Sequence, residues 1–192
     1  MATIGLDRLY MADITEDANG VETYGVPEVM AKVINADLSV ELAEAILYAD
    51  DGADEIIKEF KSGKLTLGIK DIGAALASKL TGAVIDGNGV VISASEDSGK
   101  TIAVAFRAKK SNGAYRYVWL YRVTFGMPSS SYVTKGDNIT FQTPTIEGIV
   151  SRRNKLDYKG QHPWRAEVDS DGKDVEASTI SGWYSEVYEP EA

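Results

Sequence analysis

The chain of 192 residues contains no cysteine and a single histidine, His162. Without cysteine there is no disulfide framework and no thiol chemistry, so packing alone must hold the fold together. A single histidine excludes metal centres and catalytic triads that are built on several histidines.

Long hydrophobic runs are also missing. No stretch approaches the roughly 20 apolar residues that a membrane-spanning helix needs, and the N-terminal sequence MATIGLDRLYMADITEDANG lacks the basic and apolar regions of a signal peptide. We therefore expect a soluble protein that folds and assembles in a cytoplasm and has no membrane partner.

What the chain has is enough apolar material for one sizeable core. Hydrophobic residues make up 44% of the sequence, which suits one globular domain. We predict a single domain over residues 1–165, with an N-terminal arm, and a C-terminal arm or closing strand over residues 166–192.

The charge is distributed in three blocks. Residues 1–60 carry three basic and fourteen acidic side chains, residues 61–165 carry sixteen and seven, and residues 166–192 carry one and eight. The blocks could pair within one chain, pair between copies, or form a patchily charged solvated surface. A net charge of −9 argues against a protein that binds DNA tightly through its phosphates.

The aromatic segment 115–125 predicts a strand covered on both faces. Its alternate positions place Tyr117, Trp119 and Tyr121 on one face, while the centre of the other face is also apolar. The segment 102–106 predicts a second strand. Asn112-Gly113 between the two is the sequence signal of a tight hairpin, so we expect antiparallel pairing.

The remaining sequence predicts further strands and one helix. Alternation indicates a strand at 64–70, and Asp51-Gly52 indicates a hairpin over 45–60, although ADEIIKEF could also form two helical turns. A helix is predicted over 72–80, capped by Asp71 and ended by Gly82. Late strands are predicted over 138–150 and 180–188. The fold class is mainly β: a β-sandwich or open barrel of antiparallel strands with one flanking α-helix.

Two segments resemble cofactor or metal-binding motifs, but each lacks a feature that the site requires. The segment 94–101 satisfies a permissive phosphate-loop pattern but leads into a strand rather than a helix. The acidic run 169–174 begins like a calcium loop but has Ile180 where the twelfth-position glutamate should be. We predict no enzyme, no metal and no cofactor.

Several segments, in order along residues 4–165, resemble a known family. The most specific are LYADD (47–51), the strand and helix unit ending in KLTG (79–82), and the strings YRYVWLY (115–121) and TKGDNITFQTPT (134–145). In their order and spacing they resemble the phi13-type major tail tube proteins of long-tailed bacteriophages.

The resemblance implies a structural virion protein. It implies a subunit that forms hexameric rings, which stack into a hollow tube in the virion tail after assembly in the host bacterial cytoplasm. The implied partners are further copies of the chain, the tape measure protein, and the tail terminator and distal tail proteins. Double-stranded DNA would pass through the tube transiently and without sequence preference during genome delivery.

On this interpretation we expect two contact regions between subunits. One is the acidic hairpin 45–60, and the other is the C-terminal stretch after Arg152, which we expect to be an arm that docks on a neighbour. The candidate interface residues are Leu47, Tyr48, Asp50, Asp51, Asp54, Glu55, Arg152, Arg153 and Trp164.

A different class of function stays open. A monomeric β-sandwich that binds carbohydrate or a cell surface could use Trp119, Trp164 or Trp183 as stacking platforms. It predicts exposed tryptophans and a monomer, whereas a tube subunit predicts a polymer.

Overall fold

The structure is a computed structural model that describes residues 1–49, 52–134 and 141–191. Of residues 48, 49 and 52–54 it describes the backbone only. The elements in chain order are β1 (Thr3–Glu16), β2 (Glu22–Tyr24), β3 (Glu28–Ala31), β4 (Val33–Ala49), β5 (Gly52–Ile69), α1 (Ala74–Thr81), β6 (Val84–Ile85), β7 (Val91–Ile92), β8 (Thr101–Lys110), β9 (Tyr115–Phe125), β10 (Thr145–Val150), β11 (Arg165–Asp169) and α2 (Ala177–Gly182).

The main sheet is antiparallel and has the order β2-β1-β8-β9-β10-β5-β4. Short strand β3 shares the edge of β1 with β2, and β11 shares the edge of β9 with β10. The sheet curls, so that side chains from β1, β8 and β9 meet side chains from β5 and β10 in one inner core. The predicted fold class, mainly β with antiparallel strands that form no closed barrel, is confirmed, and the described residues contain two short helices where one was predicted.

Strand β9 is covered on both faces, as its sequence predicts. On one face Val118 and Leu120 belong to the inner core. On the other face Trp119 and Tyr121, both 0% exposed, belong to a second cluster on the outside of the curl. The predicted hairpin of β8 and β9 is also confirmed, with Gly113 at φ 86° in its turn.

The C-terminal segment, residues 165–191, covers this outer cluster. It begins as β11, which pairs with β9 from Arg165↔Leu120 to Asp169↔Arg116. It then places Trp183 and Val187, 2% and 5% exposed, over the aromatic face of β9. The predicted strand over 180–188 is wrong, because α2 and irregular backbone occupy this stretch. An irregular segment can turn its apolar side chains onto a sheet without the alternation of a strand.

Helix α1 packs on the inner core through Leu76 and Leu80. It ends as predicted at Gly82, whose φ of 79° is left-handed and whose missing side chain leaves room for the Ser98 carbonyl. The predicted cap is wrong: the helix begins after Gly73, and no side chain caps it.

Two strand predictions change in extent. The hairpin 45–60 is a strand pair in its described residues, not helical turns, and it belongs to the much longer pair β4–β5. The predicted strand 138–150 is β10 only at Thr145–Val150. Residues 141–144 are not in a strand, and residues 138–140 lie outside the described residues.

Candidate assembly interface

The outstanding surface feature is the distal half of the β4–β5 hairpin. The two strands pair from Val33↔Ile69 to Ala49↔Gly52. Neighbouring strand β10 stops at Val150, level with Gly63 and Val40. Beyond that level the hairpin continues for nine residues of β4, which is about 30 Å at 3.3 Å per residue. The hairpin therefore projects well past the sheet that supports its base.

Both faces of this projection carry exposed apolar side chains. Residues directly opposite share a face, and so do alternate residues along a strand. One face continues the inner-core side of the sheet and carries Leu42, Ile46 and Ile56, which are 54%, 40% and 56% exposed. The opposite face carries Leu47 and Ile57, which are 56% and 48% exposed. A solvent-facing hairpin with apolar residues on both faces is typical of a contact surface.

Some predicted interface residues lie on this projection. Leu47 and Glu55 are directly opposite one another and exposed. Tyr48 and Asp54 are on its strands, but their side chains are not described, and Asp50 and Asp51 lie outside the described residues. Their role in assembly stays a prediction.

The predicted interface residues after residue 151 differ in their exposure to solvent. Arg152 is exposed. Arg153 is only 1% exposed, its Nη1 donates to Glu189 Oε2 at 2.8 Å, and its guanidinium lies 4.6 Å from the centre of the Tyr121 ring. The prediction that Arg153 contacts a neighbouring subunit is therefore wrong. Its side chain is buried and binds the C-terminal segment of its own chain.

Trp164 packs against the projecting hairpin near its base. Its ring is half-buried and stacks on Phe60, with centroids 4.3 Å apart and planes 3° from parallel. Because Phe60 is opposite Leu42 on the inner-core side of the hairpin, the stack fixes the direction in which the distal half leaves the sheet.

The charge blocks pair within the chain. The acidic N-terminal block meets the basic block through Asp7 with Arg107, at 2.5 Å, and Glu22 with Arg122. The acidic C-terminal block meets it as well. Lys110 Nζ lies 3.1 Å from Asp169 Oδ2. Of the alternatives that the sequence left open, pairing inside one chain is therefore observed.

The contacts of Asp169 with basic side chains lower its pKa. Its carboxylate accepts hydrogen bonds from Arg116 Nε and Nη2 at 2.8 and 3.0 Å. This guanidinium, and then Lys110, lower the pKa of Asp169 to about 2. The acidic run that resembled the start of a calcium loop thus holds the C-terminal segment to β9 and to the β8–β9 turn.

A further exposed apolar surface was not predicted. The connection between β9 and β10 presents Met127, Tyr132, Val133 and Phe141, with exposed fractions from 53% to 92%. The sequence predicts that Phe141 lies in a strand, but the structure has no strand at this residue. No sequence signal distinguishes such a loop residue from a core aromatic.

Ligand chemistry has little support in the described part of the chain. Among those residues no group of three or more His, Cys, Asp or Glu side chains could hold a metal ion. No helix there is long and apolar enough to cross a membrane. Trp119 and Trp183, two of the three stacking platforms that a binding module would use, are 0% and 2% exposed.

Together these features define a mainly β protein whose most conspicuous surfaces are suited to protein contacts. No protein-family model matches the sequence, and no curated protein matches it. Among solved structures, the chain is similar to the tube-terminating cap of the anti-feeding prophage at 10% identity and a TM-score of 0.39, covering 88% of this chain and 93% of that one. It is also similar to a chain in the baseplate of the anti-feeding prophage at 8% identity and a TM-score of 0.34, covering 88% and 97%. Similarity of this extent does not establish a common fold.

Proposed function

We propose that this protein is a structural, non-catalytic subunit of a phage tail, and specifically the major tail tube subunit that polymerises as stacked hexameric rings around a conduit for DNA. The observation that carries the proposal is the projecting β4–β5 hairpin, with apolar side chains exposed on both of its faces. The resemblance of several segments to major tail tube proteins is the reason for proposing a tail tube rather than another polymer.

Covering the hairpin would release a substantial free energy. Five branched aliphatic side chains on the projection are about half exposed. Full burial of such a side chain contributes roughly 1.5–3 kcal/mol, so covering the remaining half of all five contributes about 5 kcal/mol. A monomer leaves this free energy unused, whereas a polymer of identical copies recovers it at every contact.

The open edge of the sheet gives a second reason to expect assembly. Strand β4 pairs with β5 along one edge, and no strand in the described residues pairs with its other edge. Such an edge offers unpaired backbone groups to a neighbouring chain. A head-to-tail contact between unlike surfaces closes into a ring when the rotation between copies permits it.

The charge suits a conduit that must let DNA pass. A net charge of −9 opposes tight binding of phosphates. In this proposal the chain contacts further copies of itself along the tube, the tape measure protein inside it, and the tail terminator and distal tail proteins at its ends. Its location is the virion tail, after assembly in the host bacterial cytoplasm.

Electron microscopy of the purified protein tests this function. Negative-stain images of concentrated protein are expected to contain hollow tubes or stacked rings of uniform diameter, alone or after addition of tape measure and distal tail proteins. Protein that sediments as a monomer at every concentration, with and without those proteins, would contradict the proposal.

A matched variant links the result to the hairpin. The double substitution Leu47→Asp and Ile57→Asp changes two exposed side chains, so thermal unfolding should stay close to that of the wild type, while tubes should be lost. The control Ser39→Asp and Thr66→Asp changes two polar positions near the hairpin base and should leave tubes intact if the distal half forms the contact.

A further inference from the structure

We propose that the distal end of the hairpin of one copy docks on the basic loop, residues 152–162, of the next copy. This inference rests on the proposed function and adds the acceptor surface that the hairpin would meet. It follows from complementary chemistry on two described surfaces of the same chain.

The donor surface is one face of the hairpin end, formed by residues 43–47 and 55–59. Pairing places Leu47 opposite Glu55, Ala45 opposite Ile57, and Ala43 opposite Glu59. The face therefore has an apolar centre with a glutamate toward each end. Lys58, the one basic residue in the sequence of these two ranges, belongs to the other face, where its Nζ lies 3.1 Å from Glu44 Oε2. Closer to the hairpin base, Lys61 Nζ lies 3.6 Å from Glu41 Oε2.

The acceptor surface has the same plan with the opposite charge. In the basic loop Leu156 and Tyr158 are 52% and 54% exposed. Arg152 and Lys159 of the same loop are also exposed, with Lys159 Nζ 5.3 Å from the centre of the Tyr158 ring. An apolar centre with a charged rim, meeting a surface of opposite sign, is the usual anatomy of a specific protein interface.

The one acidic side chain of the loop is already engaged in shaping it. Asp157 Oδ1 accepts hydrogen bonds from the backbone N–H groups of Lys159 and Gln161 at 2.9 and 2.8 Å. Gly160, at φ 73°, completes this turn. The carboxylate thus stabilises the turn that presents Tyr158 and Lys159.

The loop is also anchored to the body. Its Asn154 backbone N–H donates to Glu22 Oε2 at 2.8 Å, and Glu22 is fully buried. The Arg153 N–H donates to the Pro163 carbonyl at 3.0 Å. A surface held in place before binding loses little conformational entropy on docking.

The loop region of the same copy meets the hairpin on the face opposite the donor face. Trp164, just after the loop, stacks on Phe60 on the inner-core side. The donor face is turned the other way, and its Leu47 lies five residues, about 16 Å, beyond the level of Leu42 and Phe60. A contact between the donor face of one copy and the loop of the next joins copies head to tail, which is the arrangement that propagates a polymer.

Charge reversal on either surface tests the contact. The variants Glu55→Lys with Glu59→Lys, and Arg152→Glu with Lys159→Glu, are each expected to raise the critical concentration for tube formation by about tenfold or more. Polymer is measured by pelleting and negative-stain microscopy. The control Lys32→Glu with Lys70→Glu reverses two exposed lysines at the far end of β4 and β5 and should assemble like the wild type.

Mixing the two reversed variants gives the decisive result. Each variant then offers the surface that the other lacks, so an equimolar mixture should form tubes although neither protein does so alone. If both variants alone assemble like the wild type, or if the folded variants fail to assemble in the mixture, the docking assignment is overturned. Wild-type protein that forms no polymer with its partner proteins would instead overturn the proposed function itself.

Discussion

Replacement of Trp183 by alanine measures how firmly the C-terminal segment belongs to the domain. The Trp183 ring is 2% exposed. It stacks on Tyr188 with centroids 5.2 Å apart and meets the edge of Tyr117 at 6.1 Å. Its backbone carbonyl accepts a hydrogen bond from Trp119 Nε1 at 3.0 Å. The substitution removes the ring and keeps that carbonyl, so it isolates packing.

The expected loss of stability is large. Truncation of a buried tryptophan to alanine costs about 3–5 kcal/mol, because transfer free energy is lost and a cavity remains. For a chain of this size each kcal/mol lowers Tm by roughly 2–4 °C, so we expect a decrease of about 6–20 °C. Trp183→Phe keeps an aromatic ring against Tyr188 and should cost about 1–2 kcal/mol.

Urea unfolding followed by circular dichroism, at concentrations too low for assembly, gives the free energy of unfolding of each variant. Trp164→Ala is the matched control. Trp164 is only half-buried and stacks mainly on Phe60, so its loss should cost less than that of Trp183. A Trp183→Ala protein within about 1 kcal/mol of the wild type would refute the reasoning, since the cost of truncation at a packed site is several-fold larger.

Three further predictions follow from the same contacts. Deleting residues 166–192 should abolish cooperative unfolding, because the aromatic face of β9 loses its cover; a truncated protein that unfolds cooperatively near the wild-type Tm would show that the segment is a dispensable arm. Gly148→Ala should destabilise by about 1–3 kcal/mol in the same urea assay, because the new Cβ would lie 2.7 Å from a valine methyl group, whereas at the control Gly126→Ala the nearest atom is 3.9 Å away. Stability contributed by Asp169 is fully present above its unfolded pKa of about 3.9 and is lost as pH falls through its folded pKa of about 2. Asp169→Asn should therefore flatten the dependence of the unfolding free energy on pH in that window, and an unchanged slope would argue against the contact with Arg116.

Much of the local structure could be predicted from short-range patterns. The β8–β9 hairpin follows from Asn112-Gly113, because few other dipeptides adopt the required turn without strain. The two-sided burial of β9 follows from apolar residues at consecutive positions. The end of α1 follows from Gly82.

The site was only partly predictable. The hairpin signal in the sequence predicts Leu47 and Glu55 as interface residues, and in the structure both are exposed on the distal half of the hairpin. The sequence predicts the same role for Arg153 and its neighbour Arg152, but Arg152 is exposed and Arg153 is buried. Nothing in the sequence distinguishes them, because the burial of Arg153 depends on Tyr121 and on Glu189, which lie 32 and 36 residues away along the chain.

Patterns among neighbouring residues are enough to predict the class of structure, because strand period, hairpin turns and the helix end depend on local sterics and hydrogen bonding. Which surfaces stay uncovered depends on contacts between distant segments. The curl of the sheet brings β5 and β10 against β8 and β9, the C-terminal segment covers the aromatic face of β9, and acidic blocks pair with basic ones inside the chain. Each of these is a long-range contact whose free energy depends on how distant segments meet. For that reason the projecting hairpin and the basic loop emerge as the surfaces available to other copies only once the whole chain is folded.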